Sequence, residues 1–562
     1  MVKGDYMTAK QRQRLLLLTS ALLAGQAMAG VEVRSATAEG RLGLHAAGEY
    51  RLVDGKCPDC ATEKSALWYF QNDTIAVPTA NAAGYTRGMR PFDDVRQWAK
   101  TRPEADAASK PALLWVGSPL LVEGARLSED GTKLQLRDKQ SLPFALAPKL
   151  DSNLSYYDAS SLKFFSGRPL LVRGKHENGG FVARSLWPAD YALDFARLPY
   201  QPLQAGESLD ALVRAEQGGA RSPFAARVLW QRDANAPRQW ADKPVLAFVL
   251  NGAQGDDDEA HGGHFAVATG RFGKRGEWGD WTVNNFYNLD SISEKGIVAA
   301  SLPLDAYQGD LNSGQSWYRP SYLVVAVLKN ERAAAQYQDA INRVFNHFYR
   351  HDFVYNHATA NCAGLNMETL RTLGWQIPTQ GPTSRLKGLA AFPFITIKER
   401  SLENGRKVTD YLMAEQTALY PMVAFQAAGN DLLNRLAPGK AATPYEKALA
   451  EDLEGLIFIR LPQYPSSRAF GDAPVASIDE FMKRVPEDRT QWKTVPNGPR
   501  PFPAELKDPQ APSEEWMPST YALIGYTGVF GMAALGLARR GWRWRKARRQ
   551  PDHFDYKNRS AR

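Results

Sequence analysis

The chain has 562 residues, 44% of them hydrophobic, and a formal net charge of +9 from 69 Lys/Arg against 60 Asp/Glu. The excess is terminal: residues 539–562 hold ten basic and two acidic side chains and residues 1–14 hold four and one, leaving 55 basic against 57 acidic in between. A body so nearly neutral excludes nucleic acid as the partner that the overall charge suggests, and the length exceeds one ordinary domain.

Lys10, Arg12 and Arg14 precede the apolar run Leu15-Leu-Leu-Leu-Thr-Ser-Ala-Leu-Leu-Ala, and Ala27-Met-Ala29 follows it. A charged start, a short apolar stretch and a small-residue cleavage site predict a removable secretory signal over 1–29. Export places the cysteines in an oxidising compartment, so Cys57-Pro-Asp-Cys60 reads first as a local disulfide, with a redox pair or half of a metal site as alternatives.

Residues 30–240 are expected to form a β-rich domain. Within it Leu113-Leu-Trp-Val, Leu120-Leu-Val, Lys133-Leu-Gln-Leu-Arg, Arg168-Pro-Leu-Leu-Val-Arg and Gly180-Phe-Val-Ala-Arg are strand-like runs. Asp130-Gly and Asn178-Gly-Gly supply turns between them, the pattern of a small Greek-key barrel. Residues 233–243, rich in Pro, Ala and Arg, read as its exit linker.

A second domain, 241–380, opens with the buried-strand run Pro244-Val-Leu-Ala-Phe-Val-Leu and continues through strands near 264–270, 280–287 and 321–328. A long helix follows with Ala334, Tyr337, Ile341, Val344, Phe345 and Phe348 on one face. Next comes Asn361-Cys362, where Asn361 is suited to cap a helix, Leu365, Thr369, Leu370 and Leu373 recur at helical spacing, and Gly374 supplies the stop. Cys362 is the third cysteine and has no obvious partner. In the first turn of a helix the dipole and free N–H groups favour its thiolate and could hold an oxyanion, whereas a plain buried core thiol is the bland alternative.

A thiolate nucleophile needs a base, and His264 opens an alternating strand on which His264, Ala266 and Ala268 share one face, small enough for a helix to approach. The next strand offers Asn284 and Asn285 on opposite faces, either of which could orient the imidazole, with Asn285 preferred. A metal reading of Asp256-Asp-Asp-Glu259 with His261 and His264 is disfavoured. The histidines lack the i, i+4 helical spacing, Gly262 and Gly263 interrupt a helix, and the acidic run suits a solvated loop. No cofactor or metal is implied, and no Gly-x-Ser-x-Gly elbow, P-loop or dinucleotide fingerprint is present.

Residues 381–515 read as a mixed extension, mostly helical to about 435 and again over 444–458, ending in a Pro-rich spacer at 496–513. The stretch 516–538 has no charged residue, and at about 1.5 Å per residue it is long enough to cross a bilayer core of about 30 Å. Seven cations within 539–549 and two tryptophans follow it, so a single C-terminal inner-membrane span is expected, with a periplasmic body and a cytoplasmic tail 539–562 resting on anionic lipid headgroups.

The order of a histidine strand, a polar residue on the following strand, an insertion and Asn-Cys at a helix start resembles the circularly permuted papain-like proteins of the NlpC type. Gly263-His264-Phe265, Asn285-Phe286 and Asn361-Cys362 are similar to the periplasmic domain of the lipoprotein intramolecular transacylase family, over roughly 245–375. The resemblance implies an α+β chain: a permuted papain-like domain, with an antiparallel sheet packed on helices, preceded by the β-rich domain and followed by the transmembrane helix. It also implies acyl transfer through a thioester on Cys362, with His264 as base and a lipid or lipoprotein as acyl partner. An amidase acting on peptidoglycan peptides and a non-catalytic envelope scaffold are the alternative functions. The large β domain and the single C-terminal span depart from the family pattern and leave the substrate open.

Overall fold

The computed structural model describes residues 33–34, 37 and 40–511, apart from 61, 103–107, 152, 154, 216–221, 255–260, 293–295, 383, 467–470 and 492–497, together with 539–540. Contacts divide the chain into two compact units, Met1–Thr383 with Ala414–Glu514 and Ser384–Met413 with Glu515–Arg562.

In the first unit, a two-residue strand β1 (Val33–Arg34) and a small sheet of β2 (Tyr50–Asp54), β3 (Thr74–Pro78) and β4 (Leu114–Trp115) precede a barrel. The barrel strands are β5 (Leu120–Leu127), β6 (Lys133–Gln135), β7 (Ser141–Leu146), β8 (Leu170–Glu177) and β9 (Gly180–Pro188). β5 pairs with β6, β6 with β7, and β8 with both β9 and β5, all antiparallel, while β7 and β9 run parallel and complete the ring. A helix α1 (Ala159–Phe165) joins β7 to β8, which gives the Greek-key arrangement of an OB fold. Gly174 follows a bulge where a Cβ would lie 2.2 Å from the Val182 carbonyl oxygen, so only glycine lets β8 and β9 close here.

The second layer is a seven-stranded antiparallel sheet built from β10 (Ala225–Gln231), β11 (Pro244–Asn251), β12 (His264–Arg271), β13 (Thr282–Asn285), β14 (Ala300–Pro303), β15 (Ser321–Leu328) and β16 (Leu453–Leu461). Its spatial order is β10-β16-β15-β11-β12-β13-β14. Every residue of β11 and β15 is buried, as expected of central strands covered on both faces, and this explains their unbroken apolar runs. The sheet extends beyond 241–380 at both ends of the sequence. β10 lies before the expected linker, and β16 overlaps the end of the stretch 444–458 expected to be helical, where Leu456-Ile-Phe-Ile sits between two strands of the core.

The helices of this unit that bear on the site are α2 (Leu304–Gly309), α3 (Arg332–Tyr349) and α4 (Cys362–Thr372). The second unit contributes α5 (Arg385–Glu399) and α6 (Leu402–Met413), and the first resumes with α7 (Pro421–Asp431) and α8 (Pro444–Asp452). The expected face of α3 is buried throughout, and α3, α4 and α7 all pack on β11 or β12. Residues 498–511 are not a bare spacer: Phe502 stacks on His351 with ring centroids 4.3 Å apart, and Asp508 pairs with Arg350 at 2.5 Å.

The expected signal, 1–29, and the expected span, 516–538, lie outside the described residues. Among the described residues no helix is long and apolar enough to cross a membrane, so the transmembrane helix and the inner-membrane placement built on it are corrected. The physical reason is plain in the two longest described helices. α3 has 18 residues but carries Arg332, Asp339 and Arg343, whereas α5 has only 15 residues, contains Pro393 and has charged residues at both ends, roughly 22 Å of helix against a core of about 30 Å.

Candidate active site

Cys362 is the first residue of α4, and the helix begins there because Asn361 caps it. The Asn361 Oδ1 accepts from the Gly364 N–H at 2.7 Å, while its Nδ2 donates to the carbonyls of His357 at 2.7 Å and Leu419 at 3.1 Å. The one amide thus ties together the helix start, the preceding loop and the segment entering α7. The helix ends at Gly374, whose φ of 106° suits glycine.

β12 runs beneath this helix. Ala266 and Ala268 are buried and alternate with Phe265 and Val267 along the strand, and α4 packs on it. The register sets Asn251 of β11 opposite His264. On the other side β13 delivers Asn285, whose Oδ1 lies 2.6 Å from His264 Nε2. The orientation of that amide follows from its other end, because Asn285 Nδ2 donates to the Val298 carbonyl. Oδ1 is therefore the atom facing the ring, Nε2 carries the proton, and the lone pair sits on Nδ1. Asn284 points the other way, into a buried network with Ser301, Gln338 and the Val267 carbonyl. Asn285, not Asn284, meets the imidazole.

The thiol lies against the backbone N–H of Phe265, the neighbour of His264, and against the Tyr355 hydroxyl and the Ala363 N–H. The Cys362 N–H itself donates to the Tyr355 hydroxyl at 3.4 Å. No hydrogen bond joins Cys362 to His264 among the described residues, but the two share Tyr307 and Arg319 as neighbours. Tyr307 faces the imidazole with ring centroids 6.4 Å apart, and its hydroxyl donates to Asn251 Oδ1.

Burial governs the electrostatics. It pushes the Cys362 thiol up, outweighing the Phe265 N–H, Tyr355, the Ala363 N–H and the Arg319 charge, which all favour thiolate. The thiolate expected from the helix position is therefore not the resting form. Burial, followed by the charge of Arg319, pushes His264 down to about 3 against the opposing hydrogen bond of Asn285. Cys362 therefore rests as a neutral thiol and His264 as a neutral imidazole.

The barrel helps to build this wall. Arg173 of β8 meets Asp305 of α2 at 2.7 Å with both side chains buried, Arg184 of β9 pairs with Asp310 at 3.0 Å, and the Leu311 N–H donates to the Arg184 carbonyl at 2.8 Å. These contacts fix α2, the helix that presents Tyr307. Tyr307, Arg319, Tyr355 and Asn251 were not singled out from sequence. Only Tyr355, seven residues before Cys362, stands close enough in the chain to have been suspected.

Outside this cluster, Cys57 and Cys60 form a disulfide, with the Arg51 guanidinium 3.4 and 3.5 Å from the two sulfurs. With Asp59 they make the one metal-like group among the described residues, but the disulfide uses up the thiolates a metal would need. The acidic run 256–259 lies outside the described residues, and His264 is turned to Asn285. No family model matches the chain, and no curated protein or solved structure matches it either.

Proposed function

We propose that this chain is a cysteine acyltransferase or hydrolase that works through a thioacyl intermediate on Cys362, with His264 as general base and Asn285 as the group that orients it. The observation that carries the reading is the 2.6 Å pairing of His264 Nε2 with Asn285 Oδ1 on the sheet against which the Cys362 helix begins. In the proposed step the Cys362 sulfur attacks an ester or amide carbonyl as its proton passes to His264 Nδ1. Because the resting thiol is neutral, proton transfer accompanies attack. The Tyr355 hydroxyl, which accepts from the Cys362 N–H at 3.4 Å, donates its own proton to the oxyanion. Collapse breaks the bond to the leaving oxygen or nitrogen, which takes the proton back from the imidazolium. Water or an acceptor amine then attacks the thioester and frees the thiol.

The lipid or lipoprotein acyl donor rests on the resemblance of the histidine, asparagine and cysteine motifs to the transacylase family. Intact-mass analysis of protein incubated with phospholipid or lipopeptide tests it. The expected result is one acyl group on the wild-type chain, released by hydroxylamine and absent from Cys362→Ala and His264→Ala. An adduct that persists in Cys362→Ala would end the reading, and a peptide-derived acyl group in place of a fatty acyl group would move the substrate to peptidoglycan stems.

A further inference from the structure

The segment Ser384–Met413 forms a helical hairpin that is inserted into the first unit between Thr383 and Ala414. Its packing is inverted relative to an ordinary water-soluble hairpin. The residues buried in α5 and α6 are Gly388, Gly405 and Thr409. At Gly405 an added Cβ would lie 2.0 Å from Thr396 Oγ1, and at Gly388 it would lie 2.4 Å from Met413 Sδ. The two helices thus approach closely at glycines, while several large apolar side chains face outward. Leu386, Phe394, Ile397 and Leu402 are 80%, 63%, 78% and 70% exposed, four of the seven large hydrophobic side chains so exposed among the described residues. Leu386, Ala390, Phe394 and Ile397 recur at helical spacing along one face of α5. Small residues at the helix contact and large apolar residues outside is the arrangement used where the surroundings are lipid.

Charge points the same way. Residues 385–413 carry six cations (Arg385, Lys387, Lys398, Arg400, Arg406 and Lys407) against three acids, and on α5 the cations bracket the apolar stripe at both ends. The bracketed stretch is roughly 20 Å long, which fits a helix lying in a headgroup layer and is too short for one spanning the core.

We infer that the hairpin docks on a bilayer surface bearing anionic lipid, laying the Leu386–Phe394–Ile397 stripe and Leu402 into the headgroup–acyl boundary. The inference stands apart from the acyl-transfer reading. The chain segments that flank the hairpin in sequence, both in the first unit, are joined to each other. The Gln416 N–H donates to the Gln380 carbonyl at 2.8 Å and the Gln380 N–H to Thr417 Oγ1 at 2.8 Å, and three residues on the Leu419 carbonyl holds Asn361, the cap of the Cys362 helix.

The test uses the full chain carrying Cys362→Ala and Ile397→Cys, labelled at the introduced thiol with an environment-sensitive fluorophore, since the remaining cysteines are joined to each other. On titration with phosphatidylcholine vesicles containing phosphatidylglycerol, the label should shift to the blue and be quenched by brominated acyl chains. Binding should be about tenfold or more tighter than to phosphatidylcholine alone. Adding Leu386→Ser or Phe394→Ser to the labelled chain should weaken it about tenfold each. A label already blue-shifted before vesicles are added would mean that another part of this chain or a second copy covers the stripe, and would overturn the inference. A label that stays in water while the protein is bound to vesicles would overturn it equally, and equal affinity for the neutral vesicles would overturn the role given to anionic lipid. Because the probe chain lacks Cys362, no outcome depends on acyl transfer.

Discussion

Asn285→Ala removes a single acceptor from a buried ring. His264 and Asn285 are both almost fully buried, and the imidazole Nε2–H points at Oδ1 from 2.6 Å. Without that acceptor the N–H is stranded, at a cost of about 1–3 kcal/mol. The ring escapes the cost by moving its proton to Nδ1 or by turning, and either change removes the lone pair that must take the Cys362 proton. If the productive tautomer is disfavoured by that same amount, S-acylation of Cys362 slows by about 5- to 150-fold. The assay is single-turnover transfer from an activated ester, read by intact mass, with thermal melting as a check on the fold. Asn285→Asp keeps an acceptor in place and adds a negative charge that raises the His264 pKa, so it should recover most of the rate and move the alkaline-going limb of the pH–rate profile upward. A well-folded Asn285→Ala protein that acylates at the wild-type rate would refute the orienting role.

Three further outcomes follow from the packing. His347 is pushed down by burial, but its hydrogen bonds to Asp352 at 2.6 Å and Asp94 at 3.0 Å outweigh burial and raise its pKa. It therefore adds stability that is complete below its unfolded value of about 6.5 and is lost as pH rises through the folded value. Asp94, which burial would raise, is instead held at about 2 by His347 and Arg343. Its contribution is present above about pH 4 and is lost as pH falls toward 2. Melting temperature should thus peak between about pH 4 and 6.5, with His347→Gln flattening the alkaline side. Arg173→Met leaves the Asp305 carboxylate buried without its 2.7 Å partner and should cost about 3–5 kcal/mol in urea unfolding, most of it recovered when Asp305→Leu is added. Tyr355→Phe should lower the acylation rate about tenfold with little change in melting, because it removes only the hydroxyl facing the Cys362 N–H.

Much of the scaffold was legible wherever burial writes a period into the chain. The face of α3, the Asn361 cap, the stop at Gly374 and the unbroken apolar runs of β11 and β15 each need only neighbours in sequence. Several strands were not read, β16 and β10 of the central sheet among them. β16 follows directly on α8, so Leu453–Leu461 continues an apolar pattern that begins as a helix, and only its place between β10 and β15 makes it extended. Its run of Ile457-Phe-Ile459 was the available signal. β10 was concealed by the Pro-rich stretch after it. The choice between Asn284 and Asn285 could not be made from alternation, because alternation says that they diverge and not which one faces the helix.

What the sequence by itself determined is a set of local conditions: a cysteine at a capped helix start, a histidine on a strand lined with alanines, and asparagines on the strand beyond. Tertiary structure alone decided that Asn285 takes the imidazole, that Tyr307, Arg319 and Tyr355 join the site, and that the barrel steadies it through Arg173 and Asp305. It also decided the protonation states. The helix start favours a thiolate by short-range dipoles, but the resting form is set by how much water the whole fold removes, and at Cys362 burial outweighs the dipole.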